Sequence, residues 1–267
     1  MRAQVMQELQ RIESTHDVTI LFACESGSRG WGFASPDSDY DVRFIYVHRL
    51  PWYLTVAPGR DVIEVPISGD LDINGWDLRK ALGLMRESNP TLLEWLRSPI
   101  MYREEATTMA QFRALAEQVF SNAKGWHHYA SMAKKNFREH LQADEVRYKK
   151  YLYVLRPLLA ARWIRHLPGV PPMRFAELAQ HTLDAVADAA LVAEINALLE
   201  VKMRAGEAAT SPRWPGIHAF IETELARNAA EPVQPLPVPG YAALDALLHD
   251  TVLHYSQRAT GTTKASP

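Results

Sequence analysis

Asp39 and Asp41 stand two residues apart, and ten residues separate them from the pair Gly27-Ser28. Two carboxylates this close repel and raise each other's pKa unless a cation lies between them. A hard divalent ion with oxygen ligands meets that need. A Gly-Ser pair at a turn offers backbone N–H groups and little bulk, so a phosphate can approach closely. Asp72 opens a further β-like run, Asp72-Ile73-Asn74, and is the candidate third carboxylate. Asp70 competes for that role but sits nearer a turn. Three carboxylates with substrate phosphates can hold two magnesium ions, or manganese in their place. One would lower the pKa of an attacking hydroxyl and the other would stabilise a leaving pyrophosphate.

These residues must be held by strands and turns, and the hydrophobic pattern supplies them. Residues 18–24 are a short apolar β-rich run, which predicts a buried strand ending at the Gly/Ser-rich turn. Residues 40–47 alternate, with Tyr40, Val42, Phe44 and Tyr46 set against Asp41, Arg43, Ile45 and Val47. That predicts a second strand, and the period of two puts Asp39 and Asp41 on one face. Two further strands are expected over 62–65 and 70–74, with Ser68-Gly69 as a tight turn. Asp77 should cap a helix over 78–87; Asn89-Pro90 breaks it before another at 91–97. An amphipathic helix is expected over 3–14.

From residue 107 the pattern is helical, over 107–140 (broken at 122–125), 144–167, 174–181, 183–205, 215–228 and 241–257. The proline-rich stretch 232–240 reads as a stiff linker. The expected fold class is α/β (α+β), a minimal mixed sheet flanked by helices and followed by an all-helical domain. The expected division is 1–105 catalytic, 106–257 helical and 258–267 a disordered tail.

The 267 residues carry a net charge of −2 and one cysteine, Cys24. A disulfide framework and a Cys-based zinc site are excluded. No apolar run reaches the roughly 18 residues of a membrane span, and no signal-peptide core opens the chain, so a cytoplasmic protein with no membrane partner is expected. Charge is uneven: residues 124–165 carry ten basic and three acidic residues. A basic block beside a carboxylate cluster suits an enzyme acting on nucleotides. Lys149, Lys150 and Arg156 lie in that block on one expected helix. Arg156 sits in an apolar run and needs an anion, a triphosphate or a carboxylate; phosphate is favoured. Arg29 could reach a phosphate or pair with Asp37 or Glu25. Arg43 could orient Asp41 through an ion pair, and Glu25 and Ser26 could serve only to shape the turn. Lys80 is a further candidate for substrate binding. His127 and His128 point about 100° apart on a helix and do not make a chelate. Trp76, Trp95 and Trp163 are expected in the core, while Trp31, after the glycine-rich turn, remains open as a base-stacking platform.

Gly27-Ser28, ten residues, then Asp39-Tyr40-Asp41 resembles the signature of the DNA polymerase beta-type nucleotidyltransferase superfamily. The longer string from Glu25 to Tyr46 is similar to one branch of it, the RNA-repair-pathway polymerase beta-like nucleotidyltransferases. So are Asp72-Ile73-Asn74-Gly75-Trp76-Asp77, Ser88-Asn89-Pro90 and Lys150-Tyr151-Leu152-Tyr153-Val154-Leu155-Arg156-Pro157. The resemblance covers about residues 15–180. It implies a nucleotidyltransferase sheet with a helical domain completing the cleft. It also implies that Ser28 donates to the β- and γ-phosphates of an NTP, ATP or another. The expected reaction is magnesium-dependent transfer of an NMP from an NTP to an acceptor hydroxyl, with an RNA end, tRNA among them, as acceptor. One alternative is transfer to a small molecule or a protein side chain, as in an antibiotic-modifying enzyme or a toxin. A second is a non-catalytic nucleotide-binding module.

Overall fold

The chain is described from a computed structural model that covers residues 1–205 and 209–261, with backbone alone for Ser211 and residues 258–261. The elements run α1 (Arg2–His16), β1 (Val18–Glu25), α2 (Gly27–Trp31), β2 (Tyr40–His48), α3 (Leu50–Tyr53), β3 (Val62–Glu64) and β4 (Leu71–Asp77). There follow α4 (Leu78–Arg86), α5 (Pro90–Leu96), β5 (Met101–Glu104), α6 (Ala106–Val119), α7 (Asn122–His140), β6 (Glu145–Arg147) and α8 (Tyr148–His166). The last are α9 (Phe175–Thr182), α10 (Ala189–Arg204), β7 (Thr210–Pro212), α11 (Pro215–Ala230) and α12 (Ala242–Gly261).

The main sheet has five strands in the order β3-β4-β2-β1-β5. β2 and β4 run parallel and the other pairs antiparallel, so the sheet is mixed. Alternation along β2 builds both faces. Val42, Phe44 and Tyr46 pack with Val5, Leu9 and Ile12 of α1. Ile45 and Val47 point the other way, into a core shared with α4, α5, α6 and α12. A register shift in β1 between Ile20 and Phe22 lets Leu21 and Phe22 both enter that second core. Asp77 caps α4 by accepting from Arg79 N at 2.8 Å, and Asn89 caps α5 by accepting from Leu92 N at 3.1 Å.

Helices α7 to α11 enclose a separate core around α8, whose Leu152, Leu155, Leu158 and Leu159 are fully buried. Pro157 lies inside α8 and cannot donate to the carbonyl of Tyr153 one turn earlier. Asn136 of α7 supplies the missing donor, its Nδ2 lying 2.9 Å from Tyr153 O. The packing differs from a boundary at residue 105. Met109, Phe112 and Val119 of α6, and Leu244, Leu247 and Val252 of α12, belong to the core on the sheet. The stretch 232–240 has no regular structure and is pinned by Asn122, which donates to Gln234 O and accepts from Leu236 N, both at 3.0 Å. The tail expected from residue 258 begins as helix, since α12 runs to Gly261; residues 262–267 lie outside the described residues.

Candidate active site

The parallel register of β2 and β4 sets Asp41 opposite Asp72, at the end of the sheet where both strands begin. Asp70 is not in this position: its carbonyl accepts from Tyr40 N at 2.7 Å, just before the strands pair. Arg43, two residues along the same face, bridges the carboxylates. Its Nη2 lies 2.8 Å from Asp41 Oδ1 and 2.8 Å from Asp72 Oδ2, and its Nη1 donates to Val42 O and Asp72 O at 3.0 and 3.1 Å. The guanidinium offsets the repulsion of the two carboxylates and orients both. Asp39 lies one residue before β2 and is exposed.

Gly27 closes against this pair. Its φ is 55°, and a Cβ there would stand 1.9 Å from Asp41 Oδ2. Only glycine fits, because the backbone conformation and the space both exclude a side chain. Ser26 N donates to Asp41 O at 2.8 Å, tying the turn to the strand. The turn is a short helix, α2, rather than an open loop. Ser28 sits partly exposed in it, and its hydroxyl has no partner among the described residues. Arg29 binds neither Asp37 nor Glu25 through a hydrogen bond. Its Nη2 donates to Ser38 O at 2.6 Å, its Nε to Asp39 O at 3.1 Å, and its guanidinium lies 3.7 Å from the Tyr40 ring centroid. That fork holds the segment leading to Asp39.

Glu25 does more than shape the turn. It is 1 % exposed, and its Oε1 accepts from Asp41 N at 2.8 Å while Oε2 accepts from Tyr102 OH. Burial pushes its carboxyl above the usual range, opposed by these hydrogen bonds. The sequence offers little signal for this role: Glu25 lies sixteen residues from Asp41 and reaches its main chain, not its side chain.

The basic residues separate. Lys149 and Lys150 lie in the first turn of α8. Lys150 Nζ is 3.1 Å from His140 Nε2 and 5.5 Å from the centroid of Tyr153, whose ring meets Trp31 edge-on at 5.6 Å. Burial, with Lys149 and Arg147 close by, lowers the Lys150 pKa. Arg156 is different. It is 3 % exposed, and its Nη1 lies 2.6 Å from Glu94 Oε1. The anion it requires is therefore a carboxylate of the chain, which corrects the expectation of a phosphate contact. Trp31 also belongs to this packing. It donates through Nε1 to Glu94 Oε2 at 3.1 Å, and the Arg156 guanidinium lies 4.9 Å from its ring centroid. Lys80 pairs with Asp61 at 2.9 Å. Much of the basic block is neutralised by acids outside it, since Lys124, Arg162 and Arg165 pair with Glu87, Glu224 and Glu231.

Among the described residues, no group of three or more His, Cys, Asp or Glu stands ready to hold a metal ion. The pair Asp41–Asp72 nonetheless has the donor chemistry for a hard divalent cation: oxygen ligands only, on adjacent strands, with one oxygen of each taken by Arg43.

Residues 1–250 match the family described as RNA repair pathway DNA polymerase beta family. The chain belongs to this family. It is a polymerase beta-like nucleotidyltransferase. Its relatives include a Bacillus subtilis (strain 168) protein described as "Uncharacterized protein YcgL", 47% identical over 254 residues, covering 94% of this chain and 96% of that one. A solved nucleotidyltransferase-like protein from Exiguobacterium sibiricum 255-15 is 13% identical, with a TM-score of 0.27 over 94% of this chain and 77% of the other. A likeness at that level decides nothing about this member of the family. Among the described residues, no helix is long and apolar enough to cross a membrane.

Proposed function

We propose that the chain transfers a nucleoside monophosphate from an NTP to the terminal hydroxyl of an RNA. The observation that carries this reading is the in-register pair Asp41–Asp72 with Gly27 closed against Asp41. A turn that tolerates no side chain beside two carboxylates leaves room for a phosphate and its counter-ion.

Asp41 and Asp72, with Asp39 at the strand mouth, would hold divalent ions, magnesium or manganese, which supply Lewis-acid stabilisation of charge on the phosphates. The Gly27-Ser28 turn binds the β- and γ-phosphates, and the Ser28 hydroxyl donates to them. Lys149 and Lys150 meet the same phosphates from α8, and Arg29 acts indirectly by fixing the segment that carries Asp39. The acceptor oxygen forms a bond to the α-phosphorus while the bond from that phosphorus to the α–β bridging oxygen breaks. Pyrophosphate leaves with the electron pair, and the hydroxyl proton passes to Asp72. The RNA acceptor is supported by the family's description, and by Lys134, Arg138 and Arg147, which are exposed.

Incubation with each α-labelled NTP, magnesium and total RNA tests this. Label should enter RNA, and Asp41→Asn or Asp72→Asn should reduce incorporation about 100-fold or more. Label on protein or on a small molecule would move the acceptor to another class. Unchanged incorporation by both variants would remove the carboxylate pair from the reaction.

A further inference from the structure

Residues 27–39 carry the turn, Asp39 and the approach to Asp41, and they are held from outside the sheet at two points. At the first, Gly30 packs so tightly on Met173 that a Cβ would stand 2.4 Å from Met173 Cε. Beside it Trp31 donates to Glu94, which is 6 % exposed and also accepts from Arg156 Nη1 at 2.6 Å and Tyr129 OH at 3.3 Å. The remaining reach of Arg156 goes to Met173 O, 3.4 Å from both Nε and Nη2. At the second point, Lys202 of α10 is 3 % exposed, and its Nζ lies 3.0 Å from Ser35 Oγ and 3.4 Å from Ser38 Oγ. Those hydroxyls are 3.0 Å apart, and the carbonyl of Ser38 is one that Arg29 holds.

Burying two cations is costly, and well-packed apolar residues of similar volume serve stability as well or better. Both cations come from the helical unit, and both reach the segment that carries the site. We infer that Arg156 and Lys202 are positioning residues that fix this segment from the helical side, Arg156 through Glu94 at the turn and Lys202 at the approach to Asp39. The inference rests on reading the turn as the phosphate contact and Asp39 as a site carboxylate. Arg156 then governs how well NTP binds, and Lys202 governs the chemical step.

The test compares Arg156→Met and Lys202→Met with the wild-type chain, by amide hydrogen exchange and by kinetics with NTP, magnesium and RNA. Arg156→Met should speed exchange over residues 28–33 and raise the KM for NTP about tenfold, with kcat little changed. Lys202→Met should speed exchange over 35–41 and lower kcat about tenfold, with KM little changed. Lys202→Arg should restore much of the loss. If Arg156→Met does not fold, Glu94→Gln gives the same readouts, because it keeps an acceptor and removes the charge. Variants that only lower Tm, with exchange in 28–41 and both kinetic constants unchanged, would overturn the inference. A wild-type chain that transfers no NMP would overturn the functional reading instead, while exchange still decides whether these cations hold the segment.

Discussion

Gly27 shows how little space the site leaves for change. Gly27 stands at φ 55° with Asp41 Oδ2 where a Cβ would go, so Gly27→Ala must displace the carboxylate as well as strain the backbone. The left-handed conformation alone costs roughly 1–2 kcal/mol. Thermal unfolding should therefore show a modest loss, while nucleotidyl transfer should fall far more. His48 offers a test away from the site. It stacks on Trp52 with ring centroids 4.0 Å apart, and burial lowers its pKa from 6.5 to about 4. Below pH 6.5 the unfolded chain takes up a proton that the folded chain resists, so this contribution to stability is lost as pH falls from 6.5 toward 4. His48→Phe keeps an aromatic stack and removes the proton. The difference in Tm between the two chains should change across that window and stay flat above it. At this scale the sequence is legible where an arrangement is written in types and spacing, as in Gly27, Asp41 and Asp72, which the fold brings together. It is not legible where a partner lies far along the chain. Arg156 declares in its apolar run that it needs an anion, but nothing local says that Glu94, sixty-two residues away, supplies it.

Elements declare themselves when their pattern is long. The alternation from Tyr40 to Val47 and the apolar run from residue 18 give β1 and β2 nearly to the residue. β5 has four residues, of which Tyr102 alone is buried, and β6 and β7 have three each, too short for a period to show. α2 escapes for another reason: glycine and serine read as a turn, and five residues of helix are one turn with a left-handed end at Gly32. α8 shows an element completed by its neighbour, since Asn136 of α7 satisfies the carbonyl that Pro157 leaves open. Asn136→Ala should cost about 1 kcal/mol in urea unfolding, the usual worth of a part-buried hydrogen bond. In a Pro157→Ala chain, where the helix regains its own N–H, the same substitution should cost markedly less. Equal costs in both backgrounds would mean that Asn136 stabilises α8 in some other way.

Across the whole molecule, the change from strand-like to helical pattern near residue 105 is visible, but it does not mark where one core ends. Packing assigns α6 and α12 to the sheet, and no local period encodes which core a helix joins. Leu50 N also donates to Ser256 Oγ at 2.8 Å, bringing the last helix beside the end of β2. Ending the chain after residue 240 removes Leu244, Leu247 and Val252 from that core. Each such side chain contributes roughly 1.5–3 kcal/mol, and the total approaches the 5–15 kcal/mol that holds a typical domain together. The shortened chain should show a broad, low-temperature transition by circular dichroism and expose apolar surface to a dye; a wild-type Tm would show that α12 is dispensable. The same packing has a consequence for synthesis. The strands bearing the carboxylates leave the ribosome some two hundred residues before α12, which helps to cover one face of their sheet. Until then that face has only α4, α5 and α6 to cover it, and the apolar side chains that α12 will meet stay exposed to chaperones and to aggregation. A ribosome that stops before α12 releases a chain whose sheet lacks part of its cover, so early termination should yield a product that chaperones retain.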